Sequence, residues 1–126
     1  MKKILTLAVL GMVCFAAQVN AQGQRTKIAI VGLVHSHCWG FVTKLNEMHR
    51  AGDLIEIVGI SDDNEELRQY IKTLVPGVPV YTDYRKMLDE KKPEVVWSFV
   101  ENDRHLEVTR ACADRKIHVM FEKPMS

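Results

Sequence analysis

The chain has 126 residues, 47% hydrophobic and 26% charged, with seven glycines and four prolines. That balance belongs to a globular protein and excludes disordered, collagen-like and disulfide-scaffold chains. Seventeen basic residues face sixteen acidic ones, so no basic excess marks a nucleic-acid footprint. No run of eighteen apolar residues suggests a membrane-spanning helix.

The first segment reads as an address. Met1-Lys2-Lys3 is a positive start, and Ile4 through Ala17 form an uncharged, apolar run of fourteen residues. Val19-Asn20-Ala21 then puts small residues at the −3 and −1 positions before Gln22. These parts in this order describe a secretory signal. The expectation is a signal peptide over 1–21, a folded domain over 22–126, and an exported chain, periplasmic or secreted. No stable membrane insertion should follow cleavage. A buried first helix or an uncleaved anchor is the competing account. Bulky Val13 argues against lipid attachment at Cys14, and the lack of paired arginines suggests export of an unfolded chain. The remaining 105 residues suffice for one domain with one core.

Beyond the leader, strand and helix patterns alternate. Ile28-Ala29-Ile30-Val31 is apolar without alternation, and so reads as a strand buried on both faces of a parallel sheet. Similar runs return at Leu54–Ile60, Val95–Val100 and Ile117–Phe121, with a weaker one at Val78–Tyr81. Between them, Phe41, Leu45 and Met48 mark a helix closed near Gly52. Leu67, Tyr70, Ile71 and Leu74 mark a second. Asp63 and Glu66 suggest a capping box at its start, and Pro76-Gly77 ends it. Tyr84, Met87 and Leu88 follow a cap at Asp83, and Val108, Ala111 and Cys112 mark a last helix stopping near Arg115. The order predicts an α/β fold: a Rossmann-like, doubly wound parallel sheet of about five strands in the order 3-2-1-4-5. It sends Cys38 and Cys112 to opposite faces, so no disulfide is expected.

Ligands of such sheets bind at the carboxyl ends of the strands, where the strand order reverses. After the first strand comes Gly32-Leu33-Val34-His35-Ser36-His37. A Gly-x-G-x-x-Gly dinucleotide turn would have glycine at 32, 34 and 37, and only Gly32 is present; β-branched Val34 would crowd a pyrophosphate. His35 and His37 lack a visible third metal ligand, so no metal is expected. They fit better as groups lining the helix start and donating to an anion or to local carbonyls. Ser36 is a candidate cap. After the second strand, Asp62 is placed to accept ribose hydroxyls, which would favour NAD over NADP; a solvated turn residue explains it as well. After the fourth, Asn102 or Asp103 could cap the next helix. His105 either faces the crevice, within reach of a nicotinamide or sugar, or is a surface histidine. After the fifth, Glu122-Lys123-Pro124 sets a lysine on a stiffened turn. Lys123 can assist proton removal from a substrate hydroxyl as hydride leaves; the plainer account is an exposed ion pair.

Three stretches carry a family resemblance: Tyr81-Thr82-Asp83-Tyr84 with Met87-Leu88, Asn102-Asp103-Arg104-His105, and His118 through Pro124 with its Glu-Lys-Pro signature. From about Lys27 to the final residue, the chain resembles the N-terminal domain of the Gfo/Idh/MocA oxidoreductases. That resemblance implies a Rossmann domain binding NAD or NADP, followed by a larger domain holding a sugar-like substrate. It makes Lys123 the residue touching nicotinamide ribose and substrate, framed by Glu122 and Pro124. Asn102 and His105 would line the nicotinamide end, and Asp62 would be the ribose acid. Members with a Gly-x-x-His-x-His start are similar to this turn, which places Gly32, Val34, His35 and His37 at the cofactor.

The chain departs from the family pattern at Val100-Glu101, where Thr-Pro is usual, and at Lys116, where a glycine often ends the helix. The sequence given stops at Ser126 without the substrate domain, so the expected sheet is incomplete at one edge and the chain alone is not expected to turn over. A full-length relative could form a homo-oligomer. Two other readings stay open: an exported carbohydrate-binding or scaffolding relative without redox activity, and a fragment of an NAD-dependent glycosidase.

Overall fold

The structure, a computed structural model, describes residues 23–123. The proposed leader and Pro124 lie outside that range. Among the described residues, five strands alternate with four helices: β1 (Thr26–Val31), α1 (Cys38–Ala51), β2 (Ile55–Ser61), α2 (Glu65–Leu74), β3 (Val80–Tyr81), α3 (Tyr84–Lys91), β4 (Val95–Ser98), α4 (His105–Ala113) and β5 (His118–Phe121). A single turn of 3-10 helix, Asn102–Arg104, precedes α4. The strands form one sheet in the order β3-β2-β1-β4-β5, and every pairing is parallel. The expected order is therefore the observed one.

Right-handed crossovers explain the two layers. The chain winds outward from β1 to β2 and β3, then returns and winds the other way through β4 and β5, so its helices fall on opposite faces. One face carries Ile28, Ile30, Leu45, Ile57, Ile60, Ile71 and Phe99, together with Cys38 from α1. The other carries Ala29, Val31, Met87, Leu88, Val96 and Val108, together with Cys112 from α4. Each fully buried aliphatic side chain contributes roughly 1.5–3 kcal/mol, and the sheet between the layers hides its backbone polar groups in ladder bonds. Cys38 and Cys112 are each unpaired and buried.

Local details depart from the sequence reading in three places. Helix α1 buries Cys38, Val42, Leu45 and Asn46, while Phe41 is 41% exposed; the helix turns a different stripe inward from the one Phe41, Leu45 and Met48 suggested. Helix α2 has no Asp63–Glu66 capping box. Asn64 is its cap, and its side chain accepts from the Glu66 and Leu67 amides. Asn102 and Asp103 do not take the cap positions, which fall at Glu101 for the 3-10 turn and Arg104 for α4. Asp83 does cap α3, accepting from the Arg85 amide at 2.8 Å.

Lys116 solves the missing-glycine problem in its own backbone. It adopts φ +58, the left-handed conformation that closes α4 while the Ile117 amide donates to the Cys112 carbonyl at 2.9 Å. A β-carbon is unfavourable there. Lys116→Gly should therefore raise stability by about 0.5–1 kcal/mol, read as a higher urea midpoint with an unchanged m-value. Burial pushes the Cys38 thiol up to about 12 and the Cys112 thiol up to about 11. Because thiolates are the reactive form, a thiol reagent should label neither Cys38 nor Cys112 in the native protein and both of these after denaturation.

Candidate functional site

The register sets four strand ends at one level. Val31 pairs with Ser61 on one side and with Ser98 on the other, and Ser98 pairs with Phe121. The residues immediately beyond that row, among them Asp62, Gly32 and Glu122, therefore leave the sheet along a common rim. Backbone bonds extend the ladder past it: Gly32 donates to the Ser61 carbonyl at 2.8 Å, Phe99 to Val31 at 2.8 Å, and Glu122 to Ser98 at 3.3 Å. The crevice at the β1–β4 junction is where this fold reverses direction and binds its ligands.

Gly32 makes the turn possible. Its φ is +81, and an added Cβ would lie 2.6 Å from Val100 Cγ1 and 2.7 Å from the Val100 amide nitrogen. Leu33 then goes into the core, whereas Val34 is 42% exposed and stands on the surface of the turn. The β-branched side chain at position 34 is therefore turned to solvent, and the buried side chain of the turn is Leu33. His35 spans the crevice: its Nε2 lies 3.0 Å from the Val100 carbonyl, which can only accept, so Nε2 carries the proton. This is the local-carbonyl role expected of it. Position 37, not Ser36, is the N-cap of α1, and His37 makes no side-chain capping bond there.

Helix α1 meets the requirements of an anion seat. Its first turn holds no acidic residue and its amides receive no side-chain cap, while α2 and α3 start behind Asn64 and Asp83. The Cys38 amide is taken by the His35 carbonyl at 2.9 Å; the first-turn amides that follow it, at the positive end of the helix dipole, suit a pyrophosphate. The residues present therefore fit a dinucleotide through one tight glycine turn and one open helix end.

Asp62 sits deeper than the sequence suggested. It is 6% exposed; Oδ2 accepts from the Leu33 amide at 2.7 Å and Oδ1 from the Asn64 amide at 2.7 Å. One carboxylate thus ties the turn after β1 to the turn after β2. About two of its four lone-pair sites stay unused by these bonds. Burial pushes the Asp62 carboxyl above its ordinary 3.8; the Asn64 and Leu33 amides oppose that rise, and the Asp63 and Glu101 charges add to it. Asp63 stands beside it on the surface, 3.2 Å from Arg104 Nη1.

At the other end of the rim, His37 Nδ1 lies 3.8 Å from Glu122 Oε1. These two and Lys123 border a groove of about 710 Å³, with Gly40 and Phe41 along its wall. Phe41 leans on Trp97, with ring centroids 4.7 Å apart. Its outward position, unexplained by helix periodicity, comes from this aromatic contact across α1 and β4. His105 is not at the groove. It is 4% exposed and lies against Phe121 with centroids 4.4 Å apart; neither ring nitrogen has a hydrogen-bond partner. The α4 packing that follows from Val108 and Cys112 draws its first residue inward, so His105 is neither a crevice ligand nor a surface histidine here. Asn102 is half-buried on the 3-10 turn. No group of three His, Cys, Asp or Glu able to hold a metal occurs among the described residues.

A family model described as "Oxidoreductase family, NAD-binding Rossmann fold" matches residues 26–126. The chain belongs to the Gfo/Idh/MocA family. The same fold recurs in solved structures. The WlbA dehydrogenase from Chromobacterium violaceum, in complex with NADH and UDP-GlcNAcA, is 19% identical with a TM-score of 0.70 over 83% of this chain. Its counterpart from Bordetella pertussis, with the same two ligands, is 21% identical with a TM-score of 0.69 over 82%. A scyllo-inositol dehydrogenase from Lactobacillus casei, with NAD(H) and scyllo-inositol, is 19% identical with a TM-score of 0.62 over 80%. The chain spans 29%, 30% and 28% of those three chains, respectively. No curated protein matches the sequence.

Sequence reasoning gave Arg104 and Phe41 no part in the site: Arg104 stood only within the Asn102–His105 motif, and Phe41 only as a marker of the first helix.

Two expectations follow from the rim. Gly32→Ala should cost about 3 kcal/mol, from positive-φ strain and the clash with Val100, measured by urea unfolding. Asp62 binds its proton more tightly folded than unfolded, so the wild type should gain stability relative to Asp62→Asn as pH falls through the raised folded pKa towards 3.8. That gain should be lost as pH rises, and unfolding curves at a series of pH values would expose the slope.

Proposed function

We propose that this chain is the coenzyme-binding part of an NAD(H)-dependent dehydrogenase acting on a sugar or polyol hydroxyl. The observation that carries the reading is the common rim: the Gly32 turn, the uncapped start of α1, and the Glu122–Lys123 pair lie at the same ends of adjacent parallel strands. When bound, the coenzyme supplies the hydride acceptor or donor. The protein's share is placement and proton handling. The α1 amides would hold the diphosphate, and Asp62, which fixes the turn that presents them, would offer its remaining lone pairs to ribose hydroxyls. Lys123, on the open side of the groove beside Phe41, is placed to hydrogen-bond a substrate hydroxyl and draw off its proton. Glu122, anchored near His37, keeps that lysine at the groove.

Substrate class is part of the proposal. The partial apolar wall and charged lip suit a compact polyhydroxylated molecule, and the ligands named for the similar solved structures are sugars or inositol. Export is proposed as well. The leader pattern of residues 1–21 is what supports it.

Titration with NADH tests the coenzyme reading. Trp39 and Trp97 should transfer excitation to the bound dihydronicotinamide in a saturable way, and Gly32→Ala should weaken binding by about tenfold or more. A flat response in the wild type would sink the reading and leave the non-redox carbohydrate-binding alternative. An N-terminus at Gln22 in the exported protein would be the mass-spectrometric sign of the leader.

A further inference from the structure

The adenosine end of the rim holds a charged arrangement that the fold alone does not require. Arg104, in the 3-10 turn after β4, reaches across to the turn after β2, where Nη1 lies 3.2 Å from Asp63 Oδ2. The same nitrogen is 3.6 Å from Glu101 Oε2, and Nε donates to Glu107 Oε1 at 3.0 Å. Arg68, the other guanidinium beside Asp62, donates to the Asp62 carbonyl at 2.8 Å and pairs with Glu65. Both arginines flanking the ribose acid are thus already engaged with carboxylates.

We propose that Arg104 and its partners Asp63 and Glu101 set coenzyme choice, admitting a ribose 2′-hydroxyl and rejecting a 2′-phosphate. The inference rests on the coenzyme reading above and concerns one end of that site. A 2′-phosphate is close to a dianion, and it is held by a free guanidinium fork or an ammonium. Here it would approach Asp62, Asp63 and Glu101 and have to displace a carboxylate from Arg104 before gaining a cation. A ribose hydroxyl needs no such exchange, since it donates to carboxylate oxygens. Arg104 is therefore a latent phosphate ligand: its Nη1 is held by two acids whose side chains are 69% and 53% exposed, while its Nε stays with Glu107. Those exposed acids contribute little to stability, which separates their role in selection from any role in folding.

The test titrates NADH and NADPH separately into the chain and reads energy transfer from its tryptophans. The wild type should prefer NADH by about thirtyfold or more, and Asp63→Asn with Glu101→Gln should shrink that preference by about tenfold or more. Adding Arg104→Gln to the double variant should abolish the gain in NADPH binding, with unfolding midpoints of all variants recorded alongside. An unchanged ratio in the double variant overturns the proposal, and so does a gain that survives Arg104→Gln. Failure of the wild type to bind either coenzyme would appear in the absolute affinities; it would end the coenzyme reading and this inference together.

Discussion

The rim depends on one buried carboxylate. Asp62 accepts from the amides of Leu33 and Asn64, joining two turns that follow different strands and would otherwise be set independently. An ionised acid out of water is costly unless hydrogen-bonded, so the two amide donors are what allow Asp62 to sit there. In return the acid fixes the backbone of the turn that begins with Gly32. Removing either side of this exchange leaves a buried polar group without its partner. The position that family resemblance assigns to ribose recognition thus already supports the turn after β1, with about two of its lone-pair sites left over.

From that support the rest of the site follows by register. The Val31 row aligns four strand ends, so chemistry distributed over ninety residues of sequence is gathered along one edge. Its two ends have different characters. Around Arg104 the groups are ionic and linked across loops. Around Lys123 they border a groove backed by the Phe41–Trp97 contact.

Much of this was legible in the chain. Continuous apolar runs identified β1, β2 and β4, because a strand covered on both faces cannot alternate. The handedness of crossovers then fixed the sheet order and placed Cys38 and Cys112 apart. Glu122-Lys123 at the end of β5 was visible as a charged pair after an apolar strand. Less visible was which polar residue would be drawn inward. Asp62 and Asp63 are chemically identical neighbours, yet one is buried by two amides while the other pairs on the surface with Arg104. His105 had the sequence context of a crevice residue and was instead taken under Phe121 by the packing of α4. Asn64 displaced Asp63 as the cap because cap identity depends on where the backbone leaves the extended region, and sequence reasoning locates that point only to within a residue or two.

The amino-acid sequence by itself determined the layer architecture, the strand order, the membership of the family and the approximate addresses of the site, since these depend on hydrophobic periodicity, chain handedness and short motifs, all local in the chain. Tertiary structure alone decided which of two adjacent aspartates supports the turn, that Arg104 links loops 41 residues apart, and that Phe41 faces outward against Trp97. Those outcomes depend on distances between segments remote in sequence and on competition for a limited number of buried hydrogen-bond donors.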